Sequence, residues 1–181
     1  MTFFRILPLA TALALPAAAQ AGMTLTSPAL TEGGSLTMVQ EFDGFGCNGA
    51  NVSPALEWSG APESTGSYVI TAYDPDAPTG SGFWHWTMVN LPASATSLPE
   101  GAGAKGADLP GAALQGRNDY SQNAFGGACP PEGRTHRYIF TVYAMPQEAL
   151  PLDETVSGAV VGFYAQNTSL THASLTVTYG R

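Results

Sequence analysis

Polar and apolar residues alternate from Met23 to Thr26 and again from Ser35 to Val39, the period expected of half-buried β-strands. Glu32-Gly33-Gly34 between them reads as a turn. The alternation returns at Leu56-Glu57-Trp58 and, near the end of the chain, at Leu175-Thr176-Val177-Thr178-Tyr179. Three runs are denser in β-branched and aromatic residues, Ser67 to Tyr73, Trp86 to Leu91 and His136 to Ala144, and are predicted as core strands. A helical period is clear only from Asp153 to Thr168. Asp153 and Glu154 suit its N-terminus, and Ala159, Val160, Phe163 and Tyr164 can share one face. The connections are rich in Gly, Asn and Pro. Phe42 to Asn51 reads as an ordered loop with two aromatics, Ala61 to Gly66 as a turn, and Pro92 to Leu114 as a long surface connection with one brief strand near Ala112-Ala113-Leu114. Many strands, one helix and long loops predict a mainly β fold: a β-sandwich of two antiparallel-rich sheets with a helix packed at one end or edge near the C-terminus. No internal repeat or second domain is visible.

The first 21 residues fall outside that pattern. Arg5 is their only charge, Ile6 to Ala19 is apolar, and Ala19-Gln20-Ala21 matches a small-residue cleavage site. The stretch is too short and too Ala-rich for a membrane anchor and reads as a secretory signal. Cleavage after Ala21 leaves residues 22–181, about the size of one domain. Periplasmic or secreted residence is therefore expected, with no stable membrane insertion. Cys47 and Cys129 are the two cysteines. An even count in an oxidising compartment favours one disulfide, worth roughly 2–4 kcal/mol across so long a loop. No Cys-x-x-Cys redox motif or zinc-ligand spacing is present.

Charge narrows the partners. The formal net charge is −8, with 6 Lys and Arg in all. Such a surface repels phosphate backbones and anionic lipid headgroups, so nucleic acid is not expected as a partner, and an anion would have to be held by local groups.

Candidate chemistry concentrates between two core strands, in Tyr73-Asp74-Pro75-Asp76-Ala77-Pro78-Thr79-Gly80-Ser81-Gly82-Phe83-Trp84-His85-Trp86. Pro75 and Pro78 stop the strand, and Gly80 and Gly82 allow a sharp return. Asp74, Asp76 and His85 thus sit at the ends of a stiff loop, although Asp-Pro is also an ordinary turn starter and a strand-end His is often structural. Asp119 and Tyr120 in a second loop system, and His136 and Tyr138 at the start of a strand, offer similar parts.

In this order, Asp74-Pro75-Asp76-Ala77-Pro78, Trp84-His85-Trp86, Cys129-Pro130-Pro131-Glu132-Gly133 and His136-Arg137-Tyr138 resemble the phosphatidylethanolamine-binding protein family, in particular its bacterial Raf-kinase-inhibitor-like branch and the exported two-cysteine members. The likeness runs from Leu25 to Tyr179. It implies a two-sheet β fold with a small pocket for phosphate, phosphorylated headgroups or similar oxyanions at one end, and no cofactor. Carried over by position, Asp74, His85, Pro131, His136 and Tyr138 are the ligand-binding set, with Asp76, Trp84, Asp119 and Tyr120 as further candidates. The last predicted strand ends close to Arg181. On the resemblance, the segment that covers the pocket in animal members is expected to be lacking, and with it kinase docking.

The residue types agree with binding. Imidazoles near their ordinary pKa donate to an oxyanion from both nitrogens when protonated, Asp74 can orient one of them or accept from a ligand ammonium, and backbone N–H groups of Gly126-Gly127-Ala128 can form an anion nest. A hydrolase using the Asp/His pairs is the enzymatic alternative, but there is no Gly-x-Ser-x-Gly elbow. His85 and His136 lack the spacing of a metal pair. His172 reads as a surface residue or helix-end cation. A second class of reading is an inhibitor or interaction module whose surface binds a partner protein. Both a monomer and a homodimer are left open.

Overall fold

The structure is a computed structural model that describes residues 22–181; the expected leader, residues 1–21, lies outside the described residues. In chain order the elements are β1 (Thr24–Thr26), β2 (Asp43–Gly44), β3 (Cys47–Asn48), β4 (Leu56–Ser59), β5 (Ser67–Asp74), β6 (Phe83–Pro92), β7 (Ser97–Leu98), β8 (Leu114–Gln115), β9 (Thr135–Met145), α1 (Gly158–Thr168) and β10 (Thr171–Gly180). Five strands form one antiparallel sheet in the order β10-β9-β5-β6-β8, and three form a smaller one in the order β1-β4-β7.

The two sheets face each other across the main core. Leu25, Leu56, Trp58 and Leu98 come from the small sheet, and Ile70, Trp86, Met88, Phe140, Val142 and Val177 from the large one. The far face of the large sheet buries Val69, Val89 and Met145 against Val161 and Ala165 of α1. β5 is thus covered on both sides, which is why Ser67 to Tyr73 reads as a continuous apolar run while β1 and β4 alternate.

The helix differs from its expected form in two ways. It begins at Gly158, capped by Ser157, because Ser157 is still extended and bridges Arg117, whose N–H donates to the Val156 carbonyl at 2.7 Å. Asp153 instead closes a local turn on Thr155. The buried side of α1 is Gly158, Val161, Gly162 and Ala165, whereas Val160 and Phe163 are 43% and 65% exposed. Helix and sheet meet through the indole of Trp84: a Cβ on Gly158 would lie 2.3 Å from Trp84 Cγ, and one on Gly162 would lie 2.5 Å from Cη2. Two glycines let the backbone approach where large apolar residues could not.

Ser35 to Val39 does not form the expected strand. Ser35 bridges Thr178, and then Gln40 Oε1 accepts from the N–H and hydroxyl of Thr37, curling the chain into a turn. The Phe42 to Asn51 loop holds the small β2–β3 hairpin, and the long connection after Pro92 contributes β7 as well as β8. His172 lies in β10, exposed, with its ring 5.4 Å from that of Tyr143, and not at the helix end. Cys47 and Cys129 are joined in a disulfide with Cα atoms 6.0 Å apart. The Ala77–Pro78 peptide bond is trans.

Candidate functional site

At one end of the large sheet, where β5 stops and β6 and β9 start, the main core opens into a cavity of about 230 Å³. A β-bulge brings His85 to it. Ala72 pairs with Trp86 and Tyr73 with Trp84, so His85 is an extra residue in β6 with no partner of its own across β5. The kink puts Trp84 against the helix and Trp86 in the main core, although residues two apart in a regular strand share a face. The unpaired His85 carbonyl accepts from the Gly126 N–H at 2.9 Å. His85 Nδ1 donates to the carbonyls of Gly126 at 2.7 Å and Gly127 at 3.1 Å. With two carbonyl acceptors on Nδ1 the proton sits there, and Nε2 has no protein partner among the described residues. Burial, opposed by those carbonyls and by Asp74, holds the imidazole below its ordinary pKa, so His85 is neutral at neutral pH in the empty site.

The second imidazole is held by a carboxylate. Asp74, the last residue of β5, accepts from the N–H groups of Asp76 at 2.8 Å and Ala77 at 3.0 Å on Oδ1, and from His136 Nδ1 at 2.8 Å on Oδ2. Both side chains are almost fully buried. These three bonds orient His136 and leave one acceptor position on Asp74 Oδ2, and Asp74 itself lines the cavity. Asp76 turns the other way. It accepts from Arg137 Nε at 2.9 Å and Nη2 at 2.7 Å, and this fork holds its carboxyl down to about pKa 2. Asp76 lines an adjoining outer groove with Arg134 and Arg137 rather than the inner cavity.

His136 and Tyr138, two apart on β9, point to the same side as the core residues Phe140 and Val142. Tyr138 is 2% exposed, and its hydroxyl has no hydrogen-bond partner. Burial, reinforced by Asp74, raises its pKa well above the ordinary phenol range, so it remains a donor. The cavity thus contains two imidazoles with Nδ1 engaged and one orphaned hydroxyl.

Asp119, Tyr120 and Pro131 also line this space. Asp119 accepts from the Trp84 N–H at 2.7 Å through one oxygen, while the Tyr120 hydroxyl donates to the Gly127 carbonyl at 3.1 Å. Trp84 does not reach the cavity. The expected anion nest is also closed: the N–H groups of Gly126, Gly127 and Ala128 go to the His85 carbonyl, Asn51 Oδ1 and the Gln40 carbonyl. These bonds fix the loop that orients His85 and leave no donor for a ligand. Among the described residues no group of three or more His, Cys, Asp or Glu side chains could hold a metal ion.

Two lining residues, Phe45 and Phe83, were not legible as site residues. Phe83 sits next to the aromatic-His segment but carries no polar group to mark it. Phe45 lies far away in sequence, and its one signal is its place between Gly44 and Gly46. Their rings complete a wall with Tyr120: Phe83 lies 4.7 Å from Tyr120 and 5.1 Å from His85, and Phe45 lies 5.6 Å from Tyr120.

A profile of the phosphatidylethanolamine-binding protein family matches residues 26–180. UPF0098 protein YbcL of Escherichia coli K12 is 50% identical over 161 residues, covering 88% of this chain and 88% of that protein. UPF0098 protein YbhB of the same organism is 48% identical over 157 residues, 87% and 99% of the two chains. The crystal structure of E. coli YbcL, itself described as a new member of the mammalian PEBP family, matches at a TM-score of 0.86 with 49% identity, over 89% of this chain and 99% of that one. A PEBP homologue from Chlamydia trachomatis, CT736, matches at 0.74 with 29% identity over 88% and 98%.

Proposed function

Since the chain belongs to the phosphatidylethanolamine-binding protein family, we propose that it is an exported binding protein whose cavity holds a small oxyanion, such as phosphate or a phosphorylated headgroup. The observation that carries this reading is the buried Tyr138 hydroxyl without a partner beside two imidazoles pinned through Nδ1. An unpaired buried hydroxyl costs roughly 1–3 kcal/mol, a cost that a ligand acceptor removes. The anion receives the Tyr138 hydroxyl and sits against Nε2 of His85 and His136, a nitrogen that carries a proton in the imidazolium form.

The pH dependence follows from the position of His85. Its pKa is depressed in the empty site, and an anion favours the imidazolium, so binding takes up a proton. Affinity therefore rises as pH falls. For a ligand with an ammonium group, the acceptors lining the cavity are the remaining position on Asp74 Oδ2 and the second oxygen of Asp119. Nothing in the arrangement activates a nucleophile, so the reading is binding without bond cleavage. Export is supported by the disulfide and the leader-like residues 1–21; no described helix is long and apolar enough to cross a membrane.

Calorimetric titration with phosphate, phosphoethanolamine, acetate and sulfate at pH 6 and pH 8 tests the proposal. Sulfate does not titrate in this range, so its stronger binding at pH 6 reports the protein. Binding lost in His136→Ala supports the reading. Absence of heat with every anion at both pH values sinks it, and points instead to a protein partner on the outer surface.

A further inference from the structure

The proposed oxyanion site accounts for the floor of the cavity but not for its mouth. There the β2–β3 hairpin places Phe45, 79% exposed, among the lining residues. A single exposed Phe needs no explanation by itself. The backbone beneath this one does. Phe45 has φ 54°, between Gly44 at 149° and Gly46 at 86°, so a bulky residue occupies a left-handed turn position that Gly or Asn fills at lower cost. The turn is also held from several sides. Cys47 is bonded to Cys129, which also lines the cavity, and the Arg181 guanidinium donates to the Gly46 carbonyl at 2.9 Å and the Pro130 carbonyl at 2.7 Å. Phe42, at the base of the hairpin, stacks on Tyr120 at 3.9 Å. A strained, exposed aromatic fastened in place at the rim of a pocket is under a constraint that folding alone does not supply.

From Phe45 the rings of Tyr120 and Phe83 continue inward to His85 and Tyr138, each centroid 4.7–5.6 Å from the next. One wall is therefore apolar and aromatic from mouth to floor, and the polar donors lie at the floor. We infer that the natural ligand is an organic monoester, its oxyanion on the imidazoles and its apolar or aryl group against Phe45, which makes Phe45 a specificity-determining residue. The inference rests on the oxyanion reading of the same cavity. The source is a small free ester rather than a lipid in a bilayer. The space is about 230 Å³, below the usual range of ligand pockets of about 300–1,000 Å³, and the net charge of −8 opposes approach to anionic membranes.

The test compares inorganic phosphate, methyl phosphate and phenyl phosphate by calorimetry at pH 6, using the disulfide-intact protein and Phe45→Asn. Asn tolerates the left-handed turn, so the hairpin is kept, and an unchanged melting curve verifies it. The wild type is expected to bind phenyl phosphate about tenfold more tightly than methyl phosphate. In Phe45→Asn that preference disappears, phenyl phosphate losing about tenfold more affinity than methyl phosphate. Equal affinity for the two esters in the wild type, or an equal loss on both in the variant, overturns the inference and leaves the oxyanion reading intact. No binding of any phosphate removes both. Co-sedimentation with phosphatidylethanolamine–phosphatidylcholine vesicles is expected to be absent; sedimentation abolished by Phe45→Asn overturns the free-ester source.

Discussion

Replacing Tyr138 by Phe separates the proposed site from a structural reading of the same residues. The substitution keeps the ring that lies 5.1 Å from His85 and removes only a hydroxyl that is buried and unpartnered. Such a group costs roughly 1–3 kcal/mol in the empty protein, so its removal should stabilise the ligand-free fold by about 1–2 kcal/mol. For a domain of this size that is a rise in Tm of roughly 2–6 °C. With an anion bound the sign reverses. The lost bond is one to a charged acceptor, worth about 1.5–3 kcal/mol, which is roughly a 10- to 150-fold weaker Kd. Thermal unfolding of exhaustively dialysed protein, with and without saturating phosphate, measures both, and calorimetry measures affinity directly. A lower Tm for the ligand-free variant would mean that the hydroxyl already has a structural partner. Unchanged anion affinity would mean that it does not face the ligand. Either result refutes the argument for the floor of the cavity.

Three further outcomes follow from the packing and the loop anchors. Gly162→Ala should destabilise by roughly 1–3 kcal/mol, the cost of overpacking, although Ala is intrinsically the better helix former; urea unfolding followed by tryptophan fluorescence reads it, because the new Cβ meets the Trp84 indole. Asp76→Asn should cost about 0.5–1 kcal/mol near neutral pH, discounted for the solvent around an exposed pair. The Asp76 carboxyl is depressed to about 2, so this contribution is complete above its unfolded pKa of about 4 and is lost as pH falls through about 2; unfolding curves of the two proteins should converge there and in high salt. Reducing Cys47–Cys129, which spans 82 residues, should lower stability by roughly 2–4 kcal/mol in urea titrations and weaken phenyl phosphate more than methyl phosphate as the Phe45 hairpin loosens.

Much of the strand framework could be read from the chain, because a strand buried on one face repeats every two residues and one buried on both faces is a β-branched and aromatic run. β1, β4, β5, β6, β9 and β10 all announced themselves in that way, although β6 and β10 extend beyond their expected ends. The two cysteines and an expected oxidising compartment were enough to pair Cys47 with Cys129. The motifs around Asp74, His85 and His136 placed the chain in its family because those residues fall in stiff Pro/Gly loops at strand ends.

What the chain could not express locally was decided by contacts distant in sequence. The apolar face expected of α1 is exposed because Trp84 needs two glycines against it, a constraint written 74 and 78 residues earlier than Gly158 and Gly162. The orientation of His85 depends on one extra residue in the β5–β6 register, which changes side-chain direction without changing composition. Asp74 and Asp76 look equivalent in Asp74-Pro75-Asp76, yet β9 supplies His136 to one and Arg137 to the other, making one a buried positioning group and the other an exposed clamp. Phe45 reaches the cavity only because a disulfide and Arg181 carry its turn there. Periodicity records which face of an element is buried; which groups converge at its end is set by register, bulges and cross-links, whose energies exist only in the assembled fold.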